Sequence, residues 1–97
     1  MSQGSSQVEA KFTVQSELGL HARPAGRFVS LAGRFESEIS VAREDDEEWV
    51  SGRSVLSILS LAASRGTTLR LRAEGPDAQE AVDALGALLT EAGPESA

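Results

Sequence analysis

The chain has 97 residues, 40% of them apolar, with fifteen acids against nine bases for a net charge of −6, and it has no cysteine. That size and composition fit one soluble domain, the acidity argues against nucleic acid, and the missing thiols exclude disulfides, thiolate zinc sites and thiol catalysis. No stretch approaches the roughly 20 apolar residues of a membrane span, and Met1-Ser2-Gln3-Gly4-Ser5-Ser6-Gln7 lacks the regions of a signal peptide, so the expectation is a cytoplasmic monomer without membrane insertion.

After that polar lead, Val8, Ala10, Phe12 and Val14 alternate with polar residues, the period of a half-buried strand. From His21 the spacing turns helical through Ala22, Ala25, Phe28, Val29, Ala32 and Phe35. Pro24 is tolerated only in a first turn, where its missing N–H leaves no intrahelical bond unmade, so the helix starts near His21. Ile39 and Val41 predict a second strand, and a short third strand is expected around Trp49 to Ser51. Between them the acidic run Glu44-Asp45-Asp46-Glu47-Glu48 reads as a solvated hairpin loop; it lacks the spacing and glycine of a calcium loop.

Ser54 stands as an N-cap before Val55, Leu56, Ile58, Leu59, Leu61 and Ala62, a helix expected to end near Gly66 with Ser57, Ser60 and Ser64 on one side. Its apolar arc is wider than one core-facing stripe needs, which fits either a partner surface or a helix buried on two sides. Leu69, Leu71 and Ala73 predict a fourth strand. Gly75-Pro76-Asp77 opens a last helix, with Pro76 at its first position and Asp77 facing its dipole, and Gly93-Pro94 ends it. Ala78, Ala81, Val82, Leu85, Leu88 and Leu89 form its stripe, weakened slightly by Gly86.

The order β-α-β-β-α-β-α, with one apolar stripe per helix and one apolar face per strand, defines an α+β fold: an open-faced two-layer sandwich. A four-stranded, mainly antiparallel sheet carries three helices on one face, and the other face puts Lys11, Thr13, Arg70 and Arg72 into water. Residues 1–97 are expected to form one domain, with an ordered core over about 8–91.

His21 is the only histidine. Imidazole is a nucleophile that forms covalent intermediates, and a helix start offers unpaired N–H groups and a partial positive charge. Gly19 allows close approach, the N–H groups of Ala22 and Arg23 have no intrahelical acceptor, and the Arg23 guanidinium suits phosphate oxygens. No second histidine, metal cluster or phosphate-binding glycine loop completes an enzyme site, and no cofactor is implied. A lone nucleophile without substrate-binding machinery is suited to receive a group and pass it on.

Gly19-Leu20-His21-Ala22-Arg23-Pro24-Ala25, followed by Gly52-Arg53-Ser54-Val55-Leu56, resembles the histidine-containing phosphocarrier family HPr from about Val8 to Glu91. The resemblance implies that Nδ1 of His21 accepts a phosphoryl group from phosphorylated enzyme I, itself charged by phosphoenolpyruvate, and passes it to a histidine on an enzyme IIA component. It implies that Arg23 helps hold and release the group, and that Ala22, Arg23, Val55, Leu56 and Leu59 meet the partners. Such a carrier is a transfer intermediate without turnover of its own.

The same resemblance makes Ser54 a target of an ATP-dependent HPr kinase/phosphorylase in some bacteria, which defines an alternative: a regulatory binding phosphoprotein. Relatives devoted to regulation can lack the active histidine, which this chain has. A third possibility, a sheet-based ligand sensor, leaves the His21 motif unexplained. The acidic hairpin and the serines Ser57 and Ser60 depart from the family pattern and leave open the sugar-type or nitrogen-type branch of the phosphotransferase system.

Overall fold

The computed structural model describes residues 6–15 and 22–91. Along them run β1 (Ser6–Thr13), α1 (Ala22–Ala32), β2 (Glu38–Arg43), β3 (Val50–Ser51), α2 (Val55–Ser60), β4 (Thr68–Gly75) and α3 (Ala78–Thr90). The expected order of elements is therefore present. The lead before Ser6, the segment 16–21 and the Gly93-Pro94 terminator lie outside the described residues.

The strands form one four-stranded sheet in the order β1-β4-β2-β3, every pairing antiparallel. β4 lies between the strands that bracket α1, aligning Phe12 with Leu69, Ala10 and Val41 with Leu71, and Ile39 with Ala73. A period-2 strand sends those side chains to one face, where Val41, Leu69, Leu71 and Ala73 are fully or almost fully buried against the helices. Ala25, Phe28 and Ala32 of α1, Ile58 of α2, and Ala78, Ala81, Leu85 and Leu89 of α3 complete the core. Each large side chain buried there contributes about 1.5–3 kcal/mol. Among the described residues no helix is long and apolar enough to cross a membrane.

Gly86 has a more specific role than helix weakening. A Cβ at this position would lie 2.2 Å from the Phe12 ring, far inside van der Waals contact, so the missing side chain lets α3 settle onto β1. The start of α3 also departs from expectation. Pro76 precedes the helix instead of opening it, and the side chain of the N-cap Asp77 makes no capping hydrogen bond to its own helix. Its carboxylate instead accepts from the Glu36 N–H (2.9 Å), the Ser37 N–H (2.9 Å) and the Ser37 hydroxyl (2.5 Å). The competing donors won because Ser37 is the one fully buried polar residue among those described, and its groups need a partner there. The Ser37 hydroxyl first, then the Glu36 N–H, holds the Asp77 carboxyl below the ordinary carboxylate value.

α2 is shorter than expected. It stops at Ser60 because Ala62 takes a positive φ of 53° and the Leu61 carbonyl accepts Arg43 Nη1 at 3.0 Å. Ser64 is therefore not on the helix. Gly66 (φ +95°) serves a separate turn closed by Thr67 N–H to Ser64 O at 2.9 Å, the glycine position of a type II turn.

The open sheet face is also less bare than the alternation implies. Lys11 and Thr13 are exposed, but Arg70 and Arg72 are half-buried. Trp49, just before β3 and not within it, lies over both guanidinium groups, with ring-centroid distances of 4.7 and 4.0 Å. Cation–π attraction and shielding of the indole favour that placement. The five acids from Glu44 to Glu48 are exposed, as expected for a solvated loop. Arg70 Nη2 reaches the Asp46 carbonyl at 2.8 Å and Lys11 pairs with Glu44 at 3.2 Å.

Candidate functional site

His21, together with Gly19 and Leu20, lies outside the described residues; the next residue, Ala22, is the first of α1. The helix therefore begins where the proline required, with Pro24 in its opening turn. The N–H groups of Ala22 and Arg23 sit in that turn and lack intrahelical acceptors. Arg23 is exposed, whereas Ala25 and Phe28 on the opposite face are fully buried. Burying that apolar face turns the N-terminal cation outward.

Ser54 is the N-cap of α2, in an extended conformation, and its Oγ accepts the Ser57 N–H at 3.2 Å. The cap residue's preference for a short polar side chain explains this geometry. Among the α2 residues expected to meet partners, Leu56 is 78% exposed while Val55 and Leu59 are half-buried against the core. Ile58 faces inward. The wide apolar arc is thus divided: one side buried, one large side chain in water. α1 and α2 pack together, so the Arg23 end and Leu56 stand on adjoining helices.

Sequence reasoning passed over Arg27 and Arg34. With Arg23 and Ser30 they line an open groove of about 550 Å³ along α1, closed on its other side by Leu88 of α3. The available signal was the run from Leu20 to Phe35, which contains three arginines and no acid in a chain of net charge −6. Arg27 also meets Glu91 at 3.5 Å, with both side chains more than half exposed, so the pair contributes little to stability. Among the described residues no group of three or more His, Cys, Asp or Glu side chains is placed to hold a metal ion.

An exposed arginine at a helix start and an exposed leucine on the neighbouring helix thus stand together on an open-faced antiparallel sandwich. Residues 8–91 match the family model described as the PTS HPr component phosphorylation site. The phosphocarrier protein HPr of Haloferax volcanii is 40% identical over 83 residues, 86% of this chain and 93% of that protein. The crystal structure of HPr from Bacillus anthracis superposes with a TM-score of 0.79 at 35% identity, covering 88% of this chain and 99% of that one. A crystal structure of Crh, a catabolite-repression protein of Bacillus subtilis, gives 0.67 at 38% identity over 92% and 93% of the two chains, and is described as a domain-swapped dimer. The chain belongs to the HPr family, the phosphocarriers of the phosphotransferase system.

Proposed function

We propose that His21 is the phosphoryl acceptor. Its Nδ1 attacks the phosphorus presented by phosphorylated enzyme I, a P–N bond forms as the bond to the donor breaks, and an enzyme IIA-type protein later takes the group in the same manner. Transfer of this kind needs positioning and charge stabilisation more than covalent assistance from the protein. The N–H groups at the start of α1, which have no intrahelical acceptor, and the exposed Arg23 supply part of both, and the docked partner supplies the rest. Ala22, Arg23, Val55, Leu56 and Leu59 are the residues assigned to that docking. The whole of 1–97 acts as one HPr-like domain, a transfer intermediate in the cytoplasm and not an enzyme with turnover of its own.

The carrying observation is that the Gly19–Ala25 motif runs directly into α1 at Ala22, inside the residues matched by the family model. With phosphoenolpyruvate and enzyme I, the chain is expected to gain one acid-labile phosphoryl group and His21→Ala none; full labelling of the alanine variant removes the assignment.

The likeness to Crh favours a second, compatible function. Ser54 would take a phosphoryl group from an HPr kinase/phosphorylase, adding about −1.5 to −2 charges at a helix start. Acid-stable phosphate on Ser54 with altered partner binding tests it. The dimeric relative makes copy number a separate question. We take the monomer as the transferring species, and sedimentation of the phosphorylated chain checks it.

A further inference from the structure

The two edges of the sheet are unlike. β3, at one edge, has two residues and follows the acidic hairpin. β1, at the other, has eight residues, contains no proline and pairs with β4 in unbroken register from Ser6 to Thr13. A short edge beside a block of charge discourages further pairing, whereas a long regular one is a template for another strand. The amide groups along β1 alternate in direction, as antiparallel pairing requires. Val14 bonds on the β4 side, to Thr67 O and from Gly66 N–H at 2.8 Å, while the Gln15 N–H points the other way, to Leu89 O. Carried back along the strand, that alternation commits Val8, Ala10 and Phe12 to β4. It turns the N–H and C=O groups of Gln7, Glu9, Lys11 and Thr13 to the outer edge, where no backbone group among the described residues bonds to them.

The side chains of this edge complement themselves. About Ala10, apolar residues stand symmetrically at Val8 and Phe12, and opposite charges stand symmetrically at Glu9 and Lys11. A two-fold axis through Ala10 sets Glu9 opposite Lys11 of a second copy, twice over, at hydrogen-bonded positions of the new ladder. On the helix side, the same axis sets Val8 opposite Phe12. Val8, Ala10 and Phe12 are only half-buried, although Ala73, Leu71 and Leu69 beside them on β4 are fully or almost fully buried. On the open face, Glu9 already faces Arg70 at 3.8 Å and Lys11 faces Glu44 at 3.2 Å. Paired strands would extend these contacts into a row of alternating charge running from one copy to the other.

We propose that β1 is a homodimerisation edge: two copies pair their β1 strands antiparallel about Ala10 and join two four-stranded sheets into one. An axis normal to the sheet keeps both helical layers on the same side. Arg23 and Leu56 belong to α1 and α2, which form no part of the paired strands, and the inference does not depend on His21.

The test is sedimentation equilibrium of the full chain over a range of concentrations, with Glu9→Lys, Lys11→Glu and the double exchange. The unaltered chain is expected to show a monomer–dimer equilibrium. Each single variant sets like charges opposite each other at both symmetry-related positions and loosens the dimer about tenfold. The double exchange restores opposite charges and returns the affinity toward wild type. The two single variants alter the monomer's own charge pattern in opposite senses, so recovery in the double variant reports the seam and not the fold. Residue-resolved hydrogen exchange locates it: the Glu9 and Lys11 amides gain protection as concentration rises, while those of Ala10 and Phe12, already bonded to β4, do not change. A chain that stays monomeric to millimolar concentration overturns the proposal, as do single variants that associate like wild type or a double variant no tighter than the singles. A dimer without added protection at Glu9 and Lys11 also overturns it, since that is the signature of another interface or of an exchanged β1.

Discussion

The two ends of α1 are secured in opposite ways. At its C-terminal end, the turn into β2 is clamped from two sides. Asp77 accepts the N–H groups of Glu36 and Ser37 and the Ser37 hydroxyl, and Arg53 Nη2 donates to the carbonyls of Phe35 (2.8 Å) and Ser37 (3.2 Å). Gly75 leaves the space in which Ser37 packs. At the N-terminal end Arg23 is exposed, and on the neighbouring α2 so is Leu56. Polar bonds that would otherwise have no partner are concentrated where the fold closes on itself. The N-terminal end instead presents a cationic donor and an apolar side chain to solvent. A carrier needs both, since a site satisfied by its own chain has nothing left to offer a docked donor.

The contrast breaks most readily at the clamped end. In Gly75→Ala the new Cβ would lie 2.6 Å from Ser37 Oγ and 2.7 Å from Ser37 Cα, at a φ of +153°. Overpacking and backbone strain together should cost about 3 kcal/mol or more. Denaturant unfolding measures it, and the folded fraction should still accept a phosphoryl group at the normal rate. The open end should behave in reverse. Arg23→Ala and Leu56→Ala are expected to change stability by no more than about 0.5 kcal/mol while slowing transfer; unchanged transfer kinetics would remove either residue from the working surface.

The clamp also sharpens the comparison through pH. Because the Asp77 carboxyl is held below its ordinary value of 3.8, the folded state favours its anion. Its contribution is fully present above that pH and is lost as pH falls through the lowered folded value. Wild type should therefore exceed Asp77→Asn in stability by a constant amount near neutrality, and the gap should shrink in acid. A gap independent of pH down to full protonation would show that the charge is not what matters. The smallest effect is expected at the end of α2, where Ala62 occupies a positive φ of 53°. Ala62→Gly should stabilise by a few tenths to about 1 kcal/mol, the relief of the Cβ clash being offset in part by glycine's larger entropy loss. Thermal unfolding checks its sign.

Much of this was open to reading along the chain. Period-2 alternation located β1, β2 and β4, and Pro24 located the start of α1 to within one residue, because each depends on contacts between near neighbours in sequence. The cap at Ser54 was legible for the same reason. So was the motif at Gly19–Ala25, although His21 lies outside the described residues. What could not be read depends on residues far apart in the chain. Asp77 faced a choice between its own helix and Ser37, forty positions away, and burial of Ser37 decided it. Gly86 looked like a weak spot until Phe12 was placed across it. Trp49 left the strand position assigned to it for two arginines on β4. The sequence by itself determined the elements, their order and the residue types of the carrier motif, because backbone preference, periodicity and capping act over a few residues. Only the tertiary structure decided which polar groups satisfy one another and which leucine stays in water, because those outcomes depend on residues far apart in the chain.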